Sequence, residues 1–256
     1  MPTRWWIPLD DVTDPAAIRL DHTHAALASW LDPLTADHKG VPFDEEHAQR
    51  LKPWFNAPLS RNGDGQLGLE VSTLTDHLTR CLHKGPPQAT LRLGRQHART
   101  VAPSPIKHAS WTDIDQSDFT STWTLAFLTP TCFRRRGSSR VSALPSPEPI
   151  LRQLNTYWTA YSGLKSRLGD HQTPDLVVTS CHIRTHHVQL APARTVPHNQ
   201  RFPSKVPGFT GHLTLEASPR DASSIAPLMQ LIDYVNIGSF ARRGLGVTRL
   251  VQINEM

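Results

Sequence analysis

Leu67-Gly68-Leu69-Glu70-Val71-Ser72-Thr73-Leu74 sets apolar residues at every second position, the period of a strand with one buried face. Asp76 then stands at a helix start, and the apolar positions run through Leu82 to Lys84-Gly85-Pro86-Pro87, which ends the helix. Ala89 to Leu93 and Arg99 to Val101 read as a further strand. Upstream lies a second strand candidate, Trp54-Phe55, behind a loop rich in proline, glycine and acidic residues. Before that loop, Asp21 is placed to cap a helix whose apolar face is Ala25, Ala26, Leu27, Trp30 and Leu31. Trp5-Trp6-Ile7-Pro8-Leu9 reads as the opening strand. The order is β-α-β-β-α-β, the split arrangement of a ferredoxin-like domain.

The second half repeats the rhythm. Trp123 to Leu128 is a strand, a basic turn follows, and Ser146-Pro147-Glu148 opens a helix through Trp158. Leu176 to Leu190 and Phe209 to Leu215 form a hairpin, Ala222 to Val235 a second helix, and Val247 to Ile253 the last strand. The expected class is therefore α+β, two tandem ferredoxin-like (RRM-type) domains over 1–115 and 121–256. The polar, acidic stretch Thr112 to Ser121 is read as the linker. No internal repeat is visible, so the duplication rests on element order alone.

The 256 residues are 38% hydrophobic and 19% charged, enough to bury a core. No stretch approaches the ~18 apolar residues of a membrane span, and Met1 to Asp11 lacks a signal pattern. Three widely spaced cysteines (Cys81, Cys132, Cys181) offer neither a disulfide framework nor a CxxC zinc signature. The expectation is a cytoplasmic protein without membrane partners. The formal net charge is +5, and it is unevenly placed. Residues 1–120 hold 12 Lys/Arg against 15 Asp/Glu, whereas residues 121–256 hold 15 against 7. A basic half rich in arginine suits a phosphate-bearing partner, because the guanidinium fork grips phosphate and stacks on bases.

Three segments carry that charge. Asn236-Ile-Gly238-Ser-Phe-Ala-Arg242-Arg243-Gly244-Leu-Gly246 joins a helix to a strand, and its glycines let backbone amides approach a phosphate beside two arginines. It is not a Walker loop, and a plain turn before an edge strand is the alternative. Arg134-Arg135-Arg136 sits at a strand end. Alternation along Leu176–Leu190 puts His182, Arg184 and His186 on one face and Val177, Cys181 and Ile183 on the other. That alternation also argues against a metal site of Cys181, His182, His186 and His187, since strand neighbours point to opposite sides. Among fourteen histidines, His24 lies on the first helix and His47 precedes Lys52 by five residues. A histidine with a second histidine or lysine is the apparatus of metal-free RNA cleavage: one group takes a proton, another gives one, and a cation offsets phosphorane charge. No carboxylate cluster suited to a two-metal nuclease appears.

Together these segments resemble the CRISPR-associated endoribonucleases that process precursor CRISPR RNA, the sixth Cas family within the repeat-associated (RAMP) superfamily. The likeness is carried by His24-Ala-Ala-Leu-Ala-Ser-Trp30-Leu31, by Glu46-His47 through Leu51-Lys52-Pro53-Trp54-Phe55 to Pro58-Leu59, by Phe127 to Arg134 with Leu144-Pro-Ser-Pro147 and Asn155 to Trp158, and by Pro207-Gly208-Phe209-Thr-Gly211 with the Asn236–Gly246 loop. The resemblance implies attack of a ribose 2′-hydroxyl on the adjacent phosphate, leaving a 2′,3′-cyclic phosphate and a 5′-hydroxyl, with no metal or other cofactor. It assigns His47 as general acid or base, His24 as its partner or substitute, and Lys52 as the phosphate-stabilising cation. Arg242, Arg243 and the Gly238, Gly244 and Gly246 backbone would grip RNA, Arg134 to Arg136 the repeat stem, and His182 and Arg184 a further stretch of strand. The implied partners are CRISPR repeat RNA, precursor and mature, and a CRISPR effector complex. Departures are Asn236 for the first loop glycine, Glu46 for a leucine, and Trp30 where some members hold a catalytic tyrosine. The competing reading is a RAMP-type RNA-binding subunit of an effector complex that does not cut.

Overall fold

The computed structural model describes residues 1–35, 51–86, 88–117, 120–134, 140–169, 174–190 and 205–251. In the first unit the chain runs β1 (Thr3–Asp10), α1 (Leu20–Leu31), the short β2 (Trp54–Asn56) and β3 (Ser60–Arg61), β4 (Leu67–Thr73), α2 (Asp76–His83), then β5 (Thr90–Leu93), β6 (Gln96–Thr100) and β7 (Ser104–His108). β4 pairs antiparallel with β1 from Thr3↔Thr73 to Pro8↔Gly68, and β2 and β3 pair with the other edge of β4. β6 and β7 share the remaining edge of β1, β6 at Leu9–Asp10 and β7 at Thr3–Trp6. The order is that of a ferredoxin-like sheet, with its fourth strand split in two.

The second unit has the same topology. It comprises β8 (Thr122–Thr131), the ribbon β9 (Phe133–Arg134) with β10 (Val141–Ser142), α4 (Pro147–Tyr161), β11 (Leu176–Gln189), β12 (Lys205–Ala217), α5 (Pro219–Leu231) and β13 (Thr248–Val251). The sheet order is β11-β12-β8-β13. Both halves are thus ferredoxin-like, as element order implied. Among the described residues, no helix is long and apolar enough to cross a membrane.

Several local expectations are corrected. Arg19, not Asp21, is the N-cap of α1, with Asp21 in its first turn, and Thr75, not Asp76, caps α2. Ala89–Leu93 and Arg99–Val101 are not one strand but two, β5 and β6, joined as a hairpin. The expected linker is docked: Ser110 caps a short helix, α3 (Trp111–Asp115), whose Trp111 meets Trp158 edge-on at 5.7 Å. On β11, the edge strand of its sheet, the expected apolar face is open: Val177 and Cys181 are exposed. Only Ile183 of that trio packs on the core.

Among the described residues, two large apolar cores form beside one small cluster of Leu190, Val206 and Leu245. Trp5, Ile7, Leu27, Trp30, Trp54, Leu69 and Val71 fill the first. The second is built on Leu125, Leu154, Trp158, Phe209, Leu213 and Leu228, and it also takes in Phe55, Leu74 and Ile114 from the first unit. Side chains on a strand alternate, so β2 sends Trp54 into one core and Phe55 into the other. Phe55 meets Tyr157 edge-on at 5.0 Å. This three-residue strand is the seam between the halves.

Candidate functional site

His24 projects from the flank of α1, beside the buried Ala26 and Leu27. Its ring stacks on Trp54 of β2, centroid to centroid 5.4 Å at 28°. Lys52 lies over the same indole, its Nζ 5.0 Å from the ring centroid, and pairs with the Asp32 carboxylate at the C-cap of α1. The indole Nε1 donates to Asp32 Oδ1 at 3.0 Å. One carboxylate therefore fixes both the lysine and the aromatic platform. Just upstream, Tyr161 Oη of α4 donates to the Leu51 carbonyl at 3.1 Å, tying the entry of this segment to the second unit.

The charge state of His24 follows from these neighbours. Burial holds its imidazole below the ordinary histidine range, the positive charge of Lys52 adds to that, Asn56 opposes it, Arg243 lowers it further and Asp32 opposes. The resting imidazole is neutral near pH 7, the form that accepts a proton.

The opposite wall is the 236–246 loop. Asn236 is 4% exposed, and its Nδ2 donates to the Asn56 carbonyl at 2.8 Å and to the Ala241 carbonyl at 2.9 Å. A side chain of the second unit thus binds the backbone of the first. Gly246 is required by both conformation and space: its φ is +70°, and a Cβ there would stand 1.7 Å from the Ile237 carbonyl oxygen. Gly244, at φ +82°, lies against Asn56, where a Cβ would stand 3.2 Å from Nδ2. The expected amide cradle is corrected: Gly238 N–H donates to Gln153 Oε1 (2.7 Å), Gly244 N–H to Ala241 O (3.3 Å) and Gly246 N–H to Pro130 O (3.2 Å). The glycines shape the loop, and their amides are taken by acceptors within the fold. Arg243 is close enough to act on His24, with its guanidinium carbon 5.9 Å from the Phe240 ring; Arg242 acts on Tyr157 and Tyr161 instead.

The other expected residues are dispersed. Arg134 is exposed on β9, and its N–H donates to Ser239 Oγ at 2.9 Å, fastening the basic turn to the loop. His47, Arg135 and Arg136 lie outside the described residues. His182 and Arg184 are exposed on β11 and line a shallow depression with Ile183, Thr210, Gly211 and His212. The far end of that hairpin turns toward the site, where Leu190 and Val206 pack with Leu245, Phe240 and Leu20. Among the described residues, no three His, Cys, Asp or Glu side chains gather at metal-binding range. Asp32, Trp54, Asn56 and Tyr161 were not foreseen as site residues. The period-two placement of Trp54 and Asn56 on one face was the available signal for Asn56.

Residues 125–248 match the family model of the CRISPR-associated endoribonuclease Cas6. That span runs from β8 into β13 and holds the basic turn, the β11–β12 hairpin and the glycine loop; His24, His47 and Lys52 precede it. Thermus thermophilus Cas6 (TTHB231) superposes with a TM-score of 0.65 at 22% identity, covering 98% of each chain. A Cas6 (TTHA0078) product complex gives 0.71 at 20% identity, over 98% of this chain and 100% of the other. The product of a Cas6-related gene from Pyrococcus furiosus gives 0.57 at 10% identity, over 99% and 100%. At such identities these are likenesses of fold. No curated protein sequence matches. The resemblance carried by the four sequence segments is borne out, in sequence over the second half and in architecture over nearly the whole chain.

Proposed function

We propose that this chain, bearing the Cas6 signature in its second half and the Cas6 fold throughout, cuts CRISPR repeat RNA in precursor transcripts without a metal ion. The observation that carries the reading is the meeting of His24 and Lys52 from one unit with Arg243 from the other, on a seam closed by Asn236. The neutral His24 imidazole takes the proton of the ribose 2′-hydroxyl. The 2′-oxygen attacks the adjacent phosphorus, the bond to the 5′-oxygen breaks, and a second acid protonates the departing oxygen. His47, four residues before Leu51 in the chain, is the residue of choice for that acid. Lys52 and Arg243 offset the charge that builds on the phosphorane oxygens. Arg134 to Arg136, Arg242, His182 and Arg184 hold the repeat through phosphate and sugar contacts, because the A-form major groove is too narrow for side chains.

The test is cleavage of the host's repeat RNA in EDTA, with mapped product ends. A single cut leaving a cyclic phosphate, slowed roughly 10²–10⁴-fold in His24→Ala and in His47→Ala, is expected. Tight binding without a cut would favour the non-catalytic subunit. Neither binding nor cutting would overturn the reading.

A further inference from the structure

Two buried polar atoms at the seam have no hydrogen-bond partner of their own: His24 Nδ1 and Asn56 Oδ1. They belong to neighbours. β2 turns Trp54 and Asn56 to the same side, and Trp54 is the platform on which His24 stacks. The Asn56 amide acts on the imidazole in the sense that favours its protonated form, as a carbonyl oxygen facing a ring N–H does.

Asn56 is also held so that its oxygen is the atom available. Its Nδ2 donates to the Ala57 carbonyl at 3.2 Å, which fixes which end of the amide faces the ring. Its own carbonyl accepts from Asn236 Nδ2, and the residue is 1% exposed. Gly244 leaves it room but no slack. A buried ring nitrogen and a buried amide oxygen without partners each carry a desolvation cost that one hydrogen bond between them removes.

We propose that Asn56 is a positioning residue for His24: its Oδ1 accepts the hydrogen on Nδ1, which fixes the neutral imidazole in the tautomer whose Nε2 lone pair is free to take a proton. Asn236, whose Nδ2 bonds both the Asn56 and the Ala241 carbonyls, is the brace that keeps Asn56 in place. The inference rests on the cleavage reading for its consequence, but the tautomer is a property of the RNA-free protein. Lys52 from the segment before β2, Arg243 from the glycine loop and Asp32 from the end of α1 are the charged groups that also act on His24, and all three remain in the variants below.

The experiment is nitrogen NMR of the ring-labelled histidines in the full chain without RNA, with the His24 signals assigned from His24→Gln. In the wild type the His24 Nδ1 signal is expected at the protonated position and Nε2 at the lone-pair position. Asn56→Ala removes the acceptor, so the tautomer populations mix or invert. Asn56→Asp keeps the shape and the acceptor, so the tautomer is retained while the His24 titration moves to higher pH. If Asn56→Ala does not fold, the Asn56→Asp titration decides alone. With repeat RNA, Asn56→Ala is expected to slow single-turnover cleavage roughly 10- to 100-fold at unchanged RNA affinity. Asn56→Asp recovers activity, with the acid limb of its pH profile displaced upward. A His24 tautomer and titration unmoved in both variants would overturn the positioning role, whatever the cleavage rates. A wild type that holds the tautomer but cuts no repeat RNA would overturn the cleavage reading and leave the Asn56–His24 pairing standing.

Discussion

At the scale of single residues, the site is governed by what charge it can tolerate. Burial and Lys52 together press His24 toward its neutral form, against the weaker pull of Asn56 and Asp32. The direction sets the pH response. A depressed histidine keeps its proton-accepting form below the unperturbed value of about 6.5, so the acid limb of the cleavage profile falls below that pH. Lys52→Met keeps the stem over Trp54, removes the neighbouring cation and leaves Asp32 without its partner. Each of the two electrostatic changes raises the affinity of His24 for a proton. The limb is therefore expected to move up toward pH 6.5 while the plateau drops, since the cation proposed to offset phosphorane charge is gone. Single-turnover rates between pH 4.5 and 8 read both effects. A limb that stays put in Lys52→Met would mean that His24 is not the titrating base.

At the scale of elements, the glycine loop works as a folded part rather than as a flexible strap. Ile237 N–H donates to Gly246 O at 2.7 Å and Ser239 N–H to Cys132 O at 2.7 Å, so the loop is bonded to itself and to the end of β8. Gly246→Ala drives a methyl onto the Ile237 carbonyl and strains a left-handed backbone. A cost of about 2–3 kcal/mol follows, or roughly 4–12 °C in Tm by calorimetry. An unchanged Tm would show that the loop yields easily. The elements were the legible part of this protein. Alternation in Leu67–Thr73 and the apolar faces of α1 and α4 are local signals, and the order of such elements yields the paired ferredoxin-like sheets. Of the residues singled out in the sequence, the fold brings His24, Lys52 and Arg243 to one place. Alternation puts Asn56 on the same face as Trp54, but what it does there comes from Asn236, 180 positions away, which no local pattern announces. The expected amide cradle failed for a related reason, since the acceptors that take those amides, Gln153 and Pro130, lie in other elements.

At the scale of the whole molecule, the proposed cleavage depends on the angle between the two units, because His24 and Arg243 sit on different ones. Among the contacts that hold that angle, two are polar devices. The first is the Asn236–Asn56 bond beside the site. The second is a charge network at the sheet edges, where Glu70 of β4 pairs with Arg4 of β1 and with Arg249 of β13, while Lys107 of β7 pairs with Asp233. Asp233 also accepts the Leu250 N–H at 2.9 Å, so the last strand is held by its backbone as well. Burial works against both guanidinium charges, of Arg4 and of Arg249, and Glu70 is their shared counter-ion. Removing one member of such a set costs more than the set contributes, because the charges left behind stay desolvated. Glu70→Gln keeps the shape and takes the ion-pair partner from both arginines, leaving Arg4 only the charge of Asp233. It is expected to cost about 3 kcal/mol, roughly 6–12 °C in Tm. Arg249→Met in the same background leaves one guanidinium instead of two and is expected to return part of that loss, since apolar packing replaces an unpaired charge. Cleavage measured well below the lowered Tm is expected to persist in Glu70→Gln, because the Asn236–Asn56 brace beside His24 is untouched. A Tm equal to that of the wild type would mean that water already screens this edge, and that the seam at β2 alone holds the two halves in register.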